Sequence, residues 1–184
     1  MDYTYDFVKP DHYALIKLDQ AKFIFEQSEK HLKDQIDTSQ QIAAKTTTLL
    51  TVVSGLLIGL VGYGITQWST GKFNGLIATT FGCAIYLYAA IYLLFNNIKP
   101  YEYKSIGLYP RRIFDDSMFN LANESYRMEA LYINEIIECQ KRIDFNKKVN
   151  DDRWMRFKKA LLLVVYSPAV FLIIYWIVKL FFRA

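Results

Sequence analysis

Three stretches of the chain are almost free of charge: Thr46 to Gln67, Gly75 to Phe95 and Ala160 to Phe182. Each is about as long as the ~20 apolar residues that carry a helix across a ~30 Å hydrocarbon core. Elsewhere the pattern is amphipathic. Leu18, Phe25 and Leu32 recur at seven-residue intervals, with Ile36 and Ala43 on the neighbouring row. This spacing predicts a helix with an apolar seam, interrupted by Lys22 and Glu29. Pro10-Asp11 is the expected start, with Asp11 as N-cap, and no strong breaker stands between it and the glycines of the first apolar run. A second polar helix is predicted from about Asp115 to Asn150, where Phe119, Tyr126 and Ile133 are seven apart, as are Asn123, Ala130 and Ile137. Asn97 to Phe114 holds Pro100, Gly107 and Pro110 and reads as non-helical. Asn146 to Asp152 is the expected place for a kink or an end. Pro168 is expected to bend the last apolar helix, because proline removes a backbone hydrogen bond.

The chain therefore divides into an N-terminal helix (1–45), a transmembrane hairpin (46–96, spans about 46–67 and 75–96), a turn and long helix (97–158), and a third span (159–184). The predicted class is an all-α integral membrane protein, three transmembrane helices with a cytoplasmic helical bundle. Composition agrees: 53% of the 184 residues are hydrophobic and 22% charged, and mean hydropathy is positive. A soluble domain of this size can bury one helix of such length, but three are hard to hide. Cys83 and Cys139 are far apart, with no CxxC or Cys/His cluster, which argues against a disulfide framework. Met1 to Asp11 has no apolar core of a signal peptide, so the first span is expected to serve as an uncleaved anchor. Lys and Arg are concentrated in Met1–Thr46 and Asn97–Lys159, whereas Trp68–Asn74 holds only Lys72. The positive-inside rule then puts the N-terminus and the 97–159 segment in the cytoplasm and the C-terminus outside.

Within the first span, Gly55 and Gly59 form GxxxG, continued by Gly62, and the second span adds Gly82. Small residues let helices approach closely in lipid. They serve either a homo-oligomer or plain packing of the first two spans against each other. Thr51 and Ser54 place hydroxyls where an oligomeric channel would be lined; the alternative is that each bonds its own helix backbone. No Asp, Glu, Lys, Arg or His sits mid-span, so a proton relay or coupling site is not expected.

Lys147, Lys148, Arg153, Arg156, Lys158 and Lys159 crowd the mouth of the third span and suit anionic lipid headgroups. Direct nucleic-acid binding is not expected, because an interfacial aromatic belt explains Trp154 and Phe157 better than a stacking platform does. No catalytic residues, cofactor or metal ligands are assigned. His12 and His31 are nineteen residues apart with no nucleophile paired to either, and no P-loop, GxSxG, HExxH or GxGxxG is present. An enzyme is not expected. Glu129, Asn134 and Glu138 put polar groups on faces of the long helix away from its seam and are candidates for contact with a partner.

The short spanning hairpin, the turn from Lys99 to Ile113, the long helix with Tyr126, Glu129, Tyr132 and Asn134, and the Arg153–Phe157 entry into the last span resemble small helical membrane proteins of bacterial antiviral systems. These include accessory membrane proteins of type VI-B CRISPR loci and transmembrane effectors of cyclic-oligonucleotide signalling systems. The likeness covers roughly Lys45 to Ala184 and is one of architecture and spacing. Departures are plain: no histidine follows any arginine in the manner of a HEPN ribonuclease, and no ligand-binding domain is recognisable. The resemblance implies a non-enzymatic effector or accessory of antiphage defence that oligomerises and perturbs the inner membrane, with a cytoplasmic defence protein as partner. The alternative is an anchor or scaffold that tethers a soluble enzyme and conducts nothing.

Overall fold

The described residues form three α-helices and no strand: α1 (Leu18–Trp68), α2 (Gly75–Ile98) and α3 (Glu124–Phe181). The structure, a computed structural model, describes residues 16–69, 75–106 and 124–181, without the side chains of 124–126. Each helix is long and apolar enough to cross a membrane. At 1.5 Å per residue, the 51 residues of α1 and 58 of α3 extend for roughly 75 and 85 Å. Each is therefore far longer than a single crossing needs.

The expected start at Pro10-Asp11 lies outside the described residues; α1 begins at Leu18. Ile16 and Lys17 precede it in non-helical conformation, and the Lys17 backbone N–H donates to Gln20 Oε1 at 3.1 Å. This is one half of a capping box, a side chain three residues into the helix reaching back to the cap residue. The segment 146–152 neither kinks out of helix nor ends it, since α3 runs unbroken from Glu124 to Phe181. The expected seam residues Phe119 and Asn123, and the side chain of Tyr126, lie outside what is described. Ile133 and Ile137 are only half-buried. The buried row is instead Ile136, Cys139, Ile143, Asn146, Asn150, Arg153, Phe157 and Ala160, an alternating 3–4 spacing held over three and a half heptads. On α1 the row of Leu18, Phe25 and Leu32 continues through Ser39, Thr46 and Val53.

The chain forms two compact units. In the first, Leu32, Ile136, Cys139 and Ile143 are buried, and Phe25 packs on Tyr132 with ring centroids 5.6 Å apart. Asn146, fully buried, holds the extended segment after α2 on both sides of one residue. It accepts from the Lys104 backbone N–H and donates to the Lys104 carbonyl, both at 3.0 Å. Two bonds from one side-chain amide imitate a strand pairing, and so satisfy backbone groups that no sheet would satisfy.

In the second unit the core is Val53 of α1, Leu87, Ala90 and Leu94 of α2, and Phe157 and Ala160 of α3, flanked by Leu49, Leu60, Tyr86 and Phe171. Gly64 of α1 meets Thr80 of α2, and Gly82 of α2 meets Ile174 of α3; a Cβ there would lie 3.3 and 3.0 Å from those side chains. Pro168 sits inside α3 and leaves the Val164 carbonyl without its usual backbone donor. The Ser167 hydroxyl takes that carbonyl at 2.7 Å, and Tyr86 of α2 donates to the adjacent Leu163 carbonyl at 2.9 Å. In lipid a freed carbonyl needs such a replacement; the Ser167 hydroxyl supplies it, and the Tyr86 bond, one residue earlier, joins α2 to α3.

Candidate functional site

Two features of the second unit stand out: an outward face on α1, and a buried polar layer where the apolar parts of the helices begin. Among the described residues, no atom beyond the helix's own backbone lies within 4 Å of where a Cβ would stand at Gly55, Gly59 or Gly62. The exposed residues Thr48, Val52, Gly55, Gly59, Gly62 and Thr66 follow one another at 4–3–4–3–4 spacing. At about 100° per residue this stripe points away from Val53 and the core. Hence the GxxxG of the first span does not pack the hairpin. Gly64 performs that role on α2, and Gly82 packs α2 on α3.

The hydroxyls of the spans are committed locally. Thr51 donates to the Thr47 carbonyl at 3.0 Å, and Thr47, Thr48, Thr66, Thr79 and Thr80 each bond the carbonyl four residues back. Ser54 is half-buried beside them. Such back-bonding uses the proton of each hydroxyl and leaves only its acceptor capacity for anything else.

The polar layer is built by all three helices. Thr46, fully buried, donates to the Ile42 carbonyl at 2.7 Å and accepts from Asn97 Nδ2 at 3.0 Å. Asn97, the penultimate residue of α2 and also fully buried, leaves its Oδ1 with no hydrogen-bond partner among the described residues. Arg153, only 4% exposed, donates from Nη1 to Ser39 Oγ at 2.8 Å and lies 5.2 Å from the Tyr101 ring centroid. Arg156 lies 5.8 Å from the same ring and donates to the Tyr101 hydroxyl, which in turn donates to the Asn96 carbonyl at 2.9 Å. The last carbonyls of a helix lack intrahelical partners and carry partial negative charge. α2 has no basic residue in its own last turn, and two arginines of α3 supply cations there through Tyr101. Arg153 therefore departs from the headgroup cluster expected of it, because its guanidinium is drawn into the core. Lys147, Lys148, Lys158 and Lys159 are exposed and Arg156 is half-buried.

Of the three residues assigned to partner contact, Asn134 is exposed and Glu138 pairs with Lys141 at 2.7 Å. Glu129 is half-buried and lies on the inward row of Ile136 and Ile143, so the three do not share one face. Burial pushes the Glu135 carboxyl up, opposed by Arg142 and reinforced by Glu138 and Glu29. Burial also pushes the Cys139 thiol up, which lowers the share of the reactive thiolate. Among the described residues no group of three or more His, Cys, Asp or Glu could hold a metal ion.

Sequence reasoning missed Ser39, Tyr86, Asn97, Asn146 and Ser167. The signal for some was present: Ser39 and Thr46 continue the row of Leu18, Phe25 and Leu32, and Asn146, Arg153 and Ala160 are seven apart. The geometry defines a helical protein with three potential membrane-crossing helices, a tied polar layer and an open glycine face. No protein-family model, curated protein or solved structure matches the chain.

Proposed function

We propose that the chain is a non-enzymatic multi-pass membrane protein that self-associates through the Gly55–Gly59–Gly62 face of its first span. The observation that carries this is the contrast among its glycines. Gly64 and Gly82 are consumed by packing within the chain, while a Cβ at Gly55, Gly59 or Gly62 would meet no other element among the described residues. In lipid there is no hydrophobic drive to hide such a face, so close helix approach and van der Waals contact with a second copy are what small residues offer. In the cell the assembly serves as an effector or accessory of bacterial antiphage defence, acting on the inner membrane from a cytoplasmic N-terminus when a partner protein engages it. The defence setting rests on the architectural resemblance of residues Lys45 to Ala184, and the orientation on the lysine and arginine distribution.

One observation favours a second reading, in which the assembly anchors a soluble partner and conducts nothing. Span hydroxyls spend their protons on their own backbone, which leaves little to line a wet path. Expression in a bacterium, with membrane potential and dye entry followed with and without phage challenge, separates the two. Depolarisation that disappears in Gly59→Leu supports an effector that permeabilises. An intact potential with the protein present in the membrane moves the function to the anchor.

A further inference from the structure

We infer that Lys45, Trp154 and Lys158 form a site for one anionic phospholipid headgroup. Lys45 of α1 has its Nζ 5.4 Å from the Trp154 ring centroid, and Lys158 of α3 has its Nζ 5.6 Å from the same centroid. Both ammonium groups are exposed, and neither has a hydrogen bond or ion pair among the described residues. A cation gains from an aromatic face. Two cations brought to one indole from residues 113 positions apart in sequence also repel each other, and an anion within reach of both offsets that repulsion. The nearby acids Asp151 and Asp152 are exposed and make no ion pair, so no carboxylate of the described chain fills this role.

Position argues for a lipid rather than a soluble anion. Lys45 stands at the start of the apolar run of α1 and Lys158 just before that of α3, the depth at which phosphate headgroups lie if these runs cross a bilayer. Trp154, half-buried and stacked on Phe157 at 5.3 Å, presents an amphipathic ring of the kind that settles at that depth. Half-buried Arg156 adds positive charge two residues on from Trp154, while its own donor is held by Tyr101. The inference rests on the membrane placement proposed above.

The test uses the full-length chain extracted from membranes in a mild detergent. Native mass spectrometry then counts retained lipid after adding equal amounts of phosphatidylglycerol and phosphatidylcholine. The wild type is expected to retain phosphatidylglycerol in preference by a factor on the order of tenfold, given about two lysines' worth of attraction near a headgroup. The Lys45→Gln/Lys158→Gln pair loses that preference. Lys30→Gln/Lys33→Gln removes the same charge at exposed positions elsewhere on α1 and retains it, as does Lys179→Gln, whose ammonium sits 4.8 Å from the Trp176 ring centroid. Equal loss in the Lys30/Lys33 pair, or no loss in the Lys45/Lys158 pair, overturns the site. Competition by millimolar inorganic phosphate alone overturns it in favour of a soluble anion. Absence of the chain from the membrane fraction overturns the membrane placement itself, whereas membrane-bound protein without lipid preference sinks only the headgroup site.

Discussion

Thr46 and Asn97 are hydrogen-bonded to each other, yet their removal should have opposite consequences. Thr46→Val keeps the shape of the side chain and deletes the only acceptor for Asn97 Nδ2, whose Oδ1 already has no partner. The amide is then wholly unsatisfied at zero exposure, and an orphaned buried polar group costs about 1–3 kcal/mol. Asn97→Leu deletes the same hydrogen bond, with a net worth of about 1 kcal/mol, but also removes the orphan oxygen. Thr46 keeps its bond to the Ile42 carbonyl. The expected net change is near zero or stabilising, so the two variants should differ by roughly 2 kcal/mol. The double variant should unfold close to Asn97→Leu rather than at the sum of the two. Reversible unfolding in mixed micelles with increasing SDS, followed by helical circular dichroism, measures all four corners of the cycle. If Asn97→Leu costs as much as Thr46→Val, then Oδ1 is satisfied by something else and the reasoning fails.

Around Pro168, Ser167→Ala should cost on the order of 1 kcal/mol and Tyr86→Phe about 0.6–1.7, both read from the same unfolding midpoints. Ser167→Ala should become nearly silent in a Pro168→Ala background, where the Val164 carbonyl regains a backbone donor. The raised Glu135 carboxyl means that the folded chain holds this proton more tightly than the unfolded one. Its contribution is therefore most favourable below the ordinary carboxylate range and is lost as pH rises through that range. Glu135→Gln should flatten this slope in unfolding midpoints between pH 4 and 7, and leave the wild type no more stable than the variant at pH 7.

The three apolar runs were legible because a bilayer crossing needs length and lack of charge, both one-dimensional properties of Thr46–Gln67, Gly75–Phe95 and Ala160–Phe182. The row through Leu18, Phe25 and Leu32 was legible for the same reason, since its members are apolar. The register of α3 was not. Its inward row contains Asn146, Asn150 and Arg153, and a template that scores apolar residues shifts by one position to Ile133 and Ile137. Polar residues enter a buried row only when partners elsewhere in the chain satisfy them, as Lys104 does for Asn146 and Ser39 for Arg153. Those partners are 42 and 114 positions away, beyond any local pattern. Continuity of α3 through 146–152 has the same origin: residues with turn preference remain helical because their side chains are tied from outside the helix. The glycines show a different limit. Gly55, Gly59, Gly62 and Gly64 look alike in sequence, and only their three-dimensional setting separates the one that packs on α2 from the three that face outward.

Self-association through that outward face is tested most directly by the mass of the protein in a lipid nanodisc or mild detergent, measured by light scattering with the lipid or detergent contribution subtracted. The wild type should have a mass that is a small multiple of 21.6 kDa. Gly59→Leu, which adds a bulky side chain to the stripe at a position where a Cβ has open space among the described residues, should shift it toward one copy with the helical circular dichroism unchanged. A wild type that is a single copy, or a Gly59→Leu variant with the wild-type mass, contradicts assembly through this face.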